Sequence, residues 1–488
     1  MAVIQSFFAI RPGLWIKPVF GVLLMASILF LPYRLCAGGM EDDLDFSDLL
    51  EKDVPHRDAG VARAWPEYYR FEGELRPSLW YPLHTSHDIK SVNRLDLLLE
   101  SHHWDVTLAA RLRADYQSTK AEEDVRADIR ELYLQKHLSV SNTASLSFAA
   151  GRKILYWGKG DEIRPVDRVS PEDMTHFLFY DKNDRKTGIP GLFLNAAFQG
   201  GIFVETFWSP LFVASEIPDP GSYFGPPRLE NFSAAGGEIQ MSDEDWTWQK
   251  DASLGIRLGF PLYGADASLY AWRGKDPMPQ LKVSEVIRAV PSDDPPYYRE
   301  IPPTAAALSW FHENAAIVGG DIEFAAGPYV FRGETAWQFE GNQALVQFEK
   351  DPDLLDRFPS GIQETQKVSL LLGVDRNNLF FRNLFANFQY VVVCIPDHED
   401  YLEADPFAQG FSATLEYTAF DSRLRAFWRV FAWMESRDQQ HQVMLSWRPA
   451  RSAVLRLGAF FYEGGTDKDF FGQFRDRDFV YLQASVLF

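Results

Sequence analysis

The stretch F-V-Y-L-Q-A-S-V-L-F, Phe479 to Phe488, sets Val480, Leu482, Ala484, Val486 and Phe488 against Tyr481, Gln483 and Ser485. Successive strand side chains point to opposite faces, so this is a two-faced strand with one apolar side. Working outward, the period of two returns along the chain. In Tyr69 to Trp80, the residues Tyr69, Phe71, Gly73, Leu75 and Leu79 alternate with Arg70, Glu72, Glu74, Arg76 and Ser78, and in Trp104 to Tyr116 Leu108, Ala110, Leu112 and Ala114 alternate with Arg111, Arg113 and Asp115. Similar runs occupy Ala252 to Phe260, Ala265 to Trp272, Tyr329 to Phe339, Phe411 to Ala419, Leu424 to Glu435, Val443 to Arg448 and Ala453 to Tyr462.

Connection lengths decide what these strands build. Short ones are expected at Ser101 to His103, Ser139 to Asn142, Gln199 to Gly201, Pro261 to Gly264, Ala325 to Pro328, Arg376 to Asn378, Phe420 to Ser422 and Arg448 to Arg451. Long ones alternate with them, at Trp157 to Gly188, Ser209 to Lys250, Lys275 to Pro303, Glu340 to Glu364, Pro396 to Pro406 and Gly464 to Asp478. Short turns at one end and long loops at the other describe an all-β transmembrane antiparallel barrel. A final alternating strand ending on Phe488 fits the signal read by the barrel-assembly machinery. The strand-like runs number about nineteen, and both chain ends of a bacterial barrel face one side, which needs an even number. Merging Ala305 to Phe311 into one long strand ending near Ala326 gives about 18 strands, within a range of about 16 to 19. A barrel that wide is not filled by wall side chains, so its lumen holds water, a folded-in loop, or both.

Composition agrees. Charged residues make up 24% and aromatic residues 15% of the 488 residues, and outside the N-terminus no apolar run is long enough for a membrane helix. The net charge of −20 argues against a nucleic-acid partner, which needs clustered Lys and Arg. Residues 1–37 have the form of a cleaved signal peptide: Arg11 and Lys17, an apolar run from Val19 to Leu31, then Leu35-Cys36-Ala37. Residues 38–65 are expected to be a short acidic arm and residues 66–488 the barrel. Export then leaves Cys394 alone, without an intrachain disulfide, and lipid and lipopolysaccharide become the surroundings.

On this register the lipid face is apolar, with Tyr69, Trp104, Trp208, Trp337, Tyr417 and Trp447 as candidate interfacial aromatics. The lumen face mixes both signs, with Arg111, Arg113, Glu131, Glu205, Arg332, Glu334, Arg425 and Arg429 as candidate pore residues. Arg423, Arg425 and Arg429 either form a local basic ladder or neutralise neighbouring carboxylates.

The loop after Gly151-Arg152-Lys153 reads W-G-K-G-D from Trp157 to Asp161, then Arg164, Asp167 and Pro171-Glu172-Asp173. With Glu131-Leu132-Tyr133 before it, and Glu205, Trp208-Ser209-Pro210, P-D-P-G-S-Y-F from Pro218 to Phe224 and Gln389 after it, this resembles a proteobacterial family of outer-membrane barrels of unknown function. A more distant resemblance is to alginate-export porins. The family resemblance implies a barrel, and work with an export system or with uptake of hydrophobic compounds. A loop of about 30 residues usually has a job. Loop 157–188 is expected to fold inward and narrow the pore, with Asp161, Arg164 and Asp167 clamped against Arg111, Arg113 and Glu131, and with Thr175 to Tyr180 as a short apolar turn.

The expected function is an outer-membrane porin or channel for passive or export-coupled passage of a small or hydrophobic solute. No phosphate loop, dinucleotide fingerprint or paired metal-binding Cys motif occurs, so no cofactor or metal is expected. His102-His103 reads as a solvated pair at a turn, and Asp243 to Asp245 and Ser292 to Asp294 as solvated acids. The alternatives are a non-conducting assembly barrel and a barrel hydrolase. The hydrolase needs Ser or Asp beside His at one rim, and no such motif is present.

Overall fold

The structure, a computed structural model, describes residues 67–84, 89–118, 123–241, 247, 251–292, 295, 298–466 and 469–488. The expected signal peptide, the acidic arm, Asp243 to Asp245, and Asp293 with Asp294 lie outside these residues. In chain order the strands are β1 (Tyr68–Pro82), β2 (Lys90–His103), β3 (Val106–Ser118), β4 (Glu123–Ser141), β5 (Ala144–Lys153), β6 (Ile189–Phe198), β7 (Phe203–Ser209), β8 (Glu238–Met241), β9 (Ser253–Leu262), β10 (Ala265–Lys275), β11 (Gln280–Pro291), β12 (Tyr298–Phe311), β13 (Asn314–Ala326), β14 (Tyr329–Leu345), β15 (Ile362–Arg376), β16 (Leu384–Cys394), β17 (Phe407–Ala419), β18 (Leu424–Trp433), β19 (Asp438–Ala450), β20 (Ala453–Glu463) and β21 (Phe479–Leu487).

Eighteen of them form one antiparallel sheet that closes on itself. The seam joins β1 to β21 in register from Glu74 opposite Leu487 to Pro82 opposite Phe479. Beyond it, Gly73 and Phe488 exchange backbone hydrogen bonds of 2.8 and 3.0 Å. Closure leaves no free sheet edge, which a bilayer would not tolerate.

Burial along the wall is inverted relative to a soluble protein. In β2, Arg94 and Asp96 are 1% and 0% exposed while Leu99 is 42% exposed. In β3, Arg111, Arg113 and Asp115 are buried while Leu108 faces outward. An apolar exterior around a charged interior is stable only where lipid replaces water outside, so the barrel belongs in an outer membrane.

The eighteen strands are not quite those expected. The run Ala305 to Phe311 does not continue into the next strand, because His312 and Glu313 interrupt it before β13. It belongs to β12, which pairs with β11 and, in parallel, with β8 in a separate three-stranded sheet. That sheet shares a small core with the helix Pro227–Ala234 and the turn Leu354–Arg357, built on Leu229, Val283, Leu308 and Leu355. Local alternation cannot distinguish a wall strand from a strand above the wall.

Turn-level expectations also change. His102 and His103 are the last residues of β2, and the turn falls on Trp104 and Asp105. Both have positive φ, 51° and 58°, as a two-residue hairpin connection requires. Trp104 is therefore a turn tip rather than a wall residue. His102 is 2% exposed and bonded through Nδ1 to Thr107 Oγ1 at 2.9 Å, so it is not solvated. Arg423 lies in the β17–β18 turn beside Phe420, Asp421 and Ser422, all at positive φ.

Candidate functional site

The chain from Ile154 to Gly188 leaves β5 and enters the lumen, where side chains from many strands bind its backbone. Glu334 of β14 is the centre of this attachment. The N–H groups of Lys159, Gly160 and Val166 donate to its carboxylate at 2.9, 3.3 and 2.8 Å. A loop rich in glycine can turn its N–H groups inward together, and a carboxylate with two oxygens can accept all three. Gly158 has φ of +83°, and a Cβ there would come within 2.6 Å of Glu334 Oε2. Only glycine fits that approach.

Further contacts surround the lumen. Trp157 is 1% exposed, donates through Nε1 to Glu205 Oε1 of β7 at 2.7 Å, and packs against Phe207 and Tyr270. Glu131 of β4 accepts the Ile154 N–H at 3.0 Å. The Asp161 N–H donates to Gln389 Oε1 of β16 at 3.2 Å, and its carboxylate lies 3.7 Å from Arg332. Arg332 is shared with Glu323 and Asp375, each at 2.6 Å. Arg429 of β18 reaches Glu162 at 3.0 Å and Asp181 at 3.4 Å.

The far end of the loop, the short helical turn Lys182–Arg185, is held by arginines of the first wall strands. Arg76 donates to Asp184 and to Asp96, each at 2.6 Å. Arg113 donates to Asp96 at 2.6 Å and to the Asp184 carbonyl at 2.5 Å, and Arg130 donates to the Arg185 carbonyl at 2.6 Å. Arg94 lies 3.6 Å from the centroid of the Tyr180 ring. Burial works to raise the Asp184 carboxyl, and Arg76 with Arg113 overcomes it, bringing it down to about 2. Burial opposes ionisation of Glu162 in the same way, and Arg185 with Arg429 holds it below the usual carboxylate range.

The expected clamp thus forms with different partners. Asp167 pairs with Lys186 at 2.7 Å, and Arg164 bonds the Gly160 carbonyl at 2.5 Å and Asn183 at 2.9 Å, with Asp167 at 3.5 Å. Asp161 faces Arg332. Arg111 pairs with Glu131 at 3.5 Å, so Arg111, Arg113 and Glu131 hold other parts of the loop or each other. Arg425 pairs with Glu416 at 2.6 Å, and with Arg423 in a turn there is no basic ladder of the three. Sequence reasoning passed over Asp184 and Glu162, whose partners Arg76, Arg113 and Arg429 lie on distant strands, and Lys186, whose partner Asp167 stands earlier in the same loop.

Thr175 to Tyr180 carries the apolar contacts. Phe177, Phe179 and Tyr180 join Trp80, Phe460, Phe479 and Tyr481 of β1, β20 and β21 in one buried aromatic cluster. His176 is 4% exposed and meets Trp80 and Tyr180 edge to face. Burial, reinforced by Arg94, pushes its imidazole down to about 4. A depressed folded pKa makes the contribution fully present above the unfolded value near 6.5 and lost as pH falls through 4. The loss amounts to about 3 kcal/mol. Burial also pushes Asp161 up to about 6, with the opposite sign, but its side chain is 49% exposed and lumen water screens it. Between pH 7 and 4, backbone hydrogen exchange at residues 174–180 is therefore expected to quicken in the wild type relative to His176→Phe. Equal pH dependence in the two proteins excludes His176 as the cause.

No curated protein matches the chain. Solved structures similar to it include Pseudomonas aeruginosa OccK5 (OpdH), 10% identical with a TM-score of 0.46, over 86% of this chain and 97% of that one. Pseudomonas aeruginosa OccD3 (OpdP) is 10% identical with a TM-score of 0.46, over 88% and 94%, and Acinetobacter baumannii OccAB3 is 10% identical with a TM-score of 0.46, over 86% and 99%. Likeness at this level concerns the fold alone. The sequence pattern of DUF1302, described as a protein of unknown function, matches residues 66–488. The chain belongs to the DUF1302 family.

Proposed function

We propose that the barrel is an outer-membrane channel for passive or export-coupled passage of a small or hydrophobic solute, with loop 157–188 as its constriction. The observation that carries this reading is the attachment of one loop to opposite walls, by Glu334 and Gln389 on one side and by Arg76, Arg113 and Glu205 on others. A loop that only capped the outside would not take so many lumen side chains out of water. On this reading Trp157, Asp161, Arg164 and Asp167 belong to the constriction, and Arg111, Arg113, Glu131, Glu205, Arg332, Glu334, Arg425 and Arg429 to the wall that supports it. The work is passage rather than catalysis. The terminal strand ending at Phe488 is the element offered to the assembly machinery, and an export system is the partner that an export-coupled route requires.

Purified protein in liposomes, tested for flux of sugars, organic acids and hydrophobic solutes, is expected to pass at least one class. Liposomes as tight as protein-free ones to all three would favour the non-conducting assembly barrel, and phospholipid hydrolysis in the same preparation would favour the hydrolase.

A further inference from the structure

The loop does not fill the barrel evenly. Its aromatic run packs toward β1, β20 and β21, and Trp157 packs toward β7 and β10. Between the loop and the wall from β13 to β19 there remains a cavity of about 520 Å³. That volume lies within the range of about 300–1,000 Å³ that holds small organic ligands.

Two features set this cavity apart from the rest of the lumen. Its wall carries Val391 and Val393 beside Ile317, Phe431 and Trp433, which also pack into the apolar clusters of loop and wall, with Gln338, Gln440 and Gln442 between them, whereas β2 and β3 present Arg94, Asp96, Arg111 and Arg113. Val391 and Val393 belong to neither cluster, and an apolar solute body would give them a partner inside the lumen.

The second feature is Lys367 of β15, which lines the same cavity. The neighbouring cations are each taken by a carboxylate: Arg168 by Asp276 at 2.6 Å, Lys182 by Glu172 at 2.5 Å, Arg185 by Glu162 at 3.0 Å and Arg429 by Glu162 at 3.0 Å. The Lys367 ammonium has no hydrogen-bond or ion-pair partner among the described residues, and Asp276, the acid whose charge reaches it, is held by Arg168. An ammonium beside an apolar wall, without its own acid, is half of an ion pair.

We propose that the cavity binds an amphipathic organic anion: a carboxylate with an aromatic or short aliphatic body. The carboxylate pairs with Lys367 and the body lies against Val391, Val393, Phe431 and Trp433. This deepens the channel reading, on which it rests, by naming the class of solute.

The test is calorimetric titration of the full-length protein in a non-ionic detergent with 3-phenylpropionate, its neutral amide and 3-phenylpropylammonium. The carboxylate is expected to bind at least about tenfold more tightly than the amide, and the ammonium more weakly still. Lys367→Met should remove the preference for carboxylate over amide, and Lys367→Arg should restore most of it. If Lys367→Met does not assemble, Lys367→Gln is titrated in its place. Equal affinity for carboxylate and amide, no binding of either, or an unchanged preference without Lys367 overturns the proposal. Flux of the same three compounds through liposomes separates the two ideas. Lys367-dependent binding without flux defeats the channel and leaves the site, and flux without such binding defeats the site and leaves the channel.

Discussion

Glu334→Ala is expected to release the loop from the β14 wall while the barrel stays assembled. The Glu334 carboxylate accepts from Lys159, Gly160 and Val166, and alanine leaves all three N–H groups without it. A net hydrogen bond is worth about 0.5–1.5 kcal/mol, so losing three weakens the attachment by roughly 3 kcal/mol. The wall does not depend on that side chain, because the Glu334 backbone pairs with Asp321 on β13 and Leu371 on β15. Trypsin should therefore cut within residues 157–188 at least tenfold faster in Glu334→Ala, with β-sheet content unchanged. Glu334→Gln keeps one acceptor oxygen and should fall between. A cleavage rate equal to the wild type would show that the carboxylate does not hold the loop.

The second large effect is expected at Lys186. Its side chain and that of Asp167 are both 0% exposed, and they meet at 2.7 Å. Removing one member of a buried pair strands the other, at a cost of about 3–5 kcal/mol. Lys186→Met should strongly loosen the loop, with hydrogen exchange at residues 154–170 accelerating accordingly. Arg164, 3.5 Å from Asp167, offers only partial compensation. In the double variant Asp167→Asn with Lys186→Met only Arg164 loses an acid, and it keeps its bonds to the Gly160 carbonyl and Asn183, so most of the protection should return. A double variant as labile as Lys186→Met alone would assign the effect to lost packing instead.

These two residues also show what could be read without coordinates. The wall was legible because a barrel in lipid needs strict alternation: Arg94 and Asp96 inward, with Leu95, Leu97 and Leu99 outward, is a pattern that chain order alone displays. Short turns were legible to within a few residues. Trp104 was misplaced because an aromatic next to an alternating run looks like part of it, and only its positive φ reveals a turn tip. Ala305 to Phe311 alternates as a wall strand does, yet it pairs above the barrel with β8 and β11, and pairing partners are not local information.

The site was legible in type more than in partnership. Glu334 stood out as an inward carboxylate, but so did Glu131 and Glu205, and nothing nearby in the chain marks it as the acceptor for a loop 168 residues earlier. The G-x-G spacing of Gly158 and Gly160 shows that N–H groups are free to turn, without showing toward what. Lys186 lies at the end of a loop whose charged residues seemed equivalent until burial separated them. Phe177 to Tyr180 was readable as an apolar turn, but its partners come from both ends of the chain, Trp80 and Phe479 among them, and meet only when the barrel closes.

Whether loop 157–188 sets the width of the pathway is decided by single-channel conductance in planar bilayers. The protein lacking Gly160 to Thr187 should assemble and conduct at least several-fold more than the wild type under the same salt and voltage. An assembled deletion protein with unchanged conductance would show that the loop occupies the lumen without narrowing it.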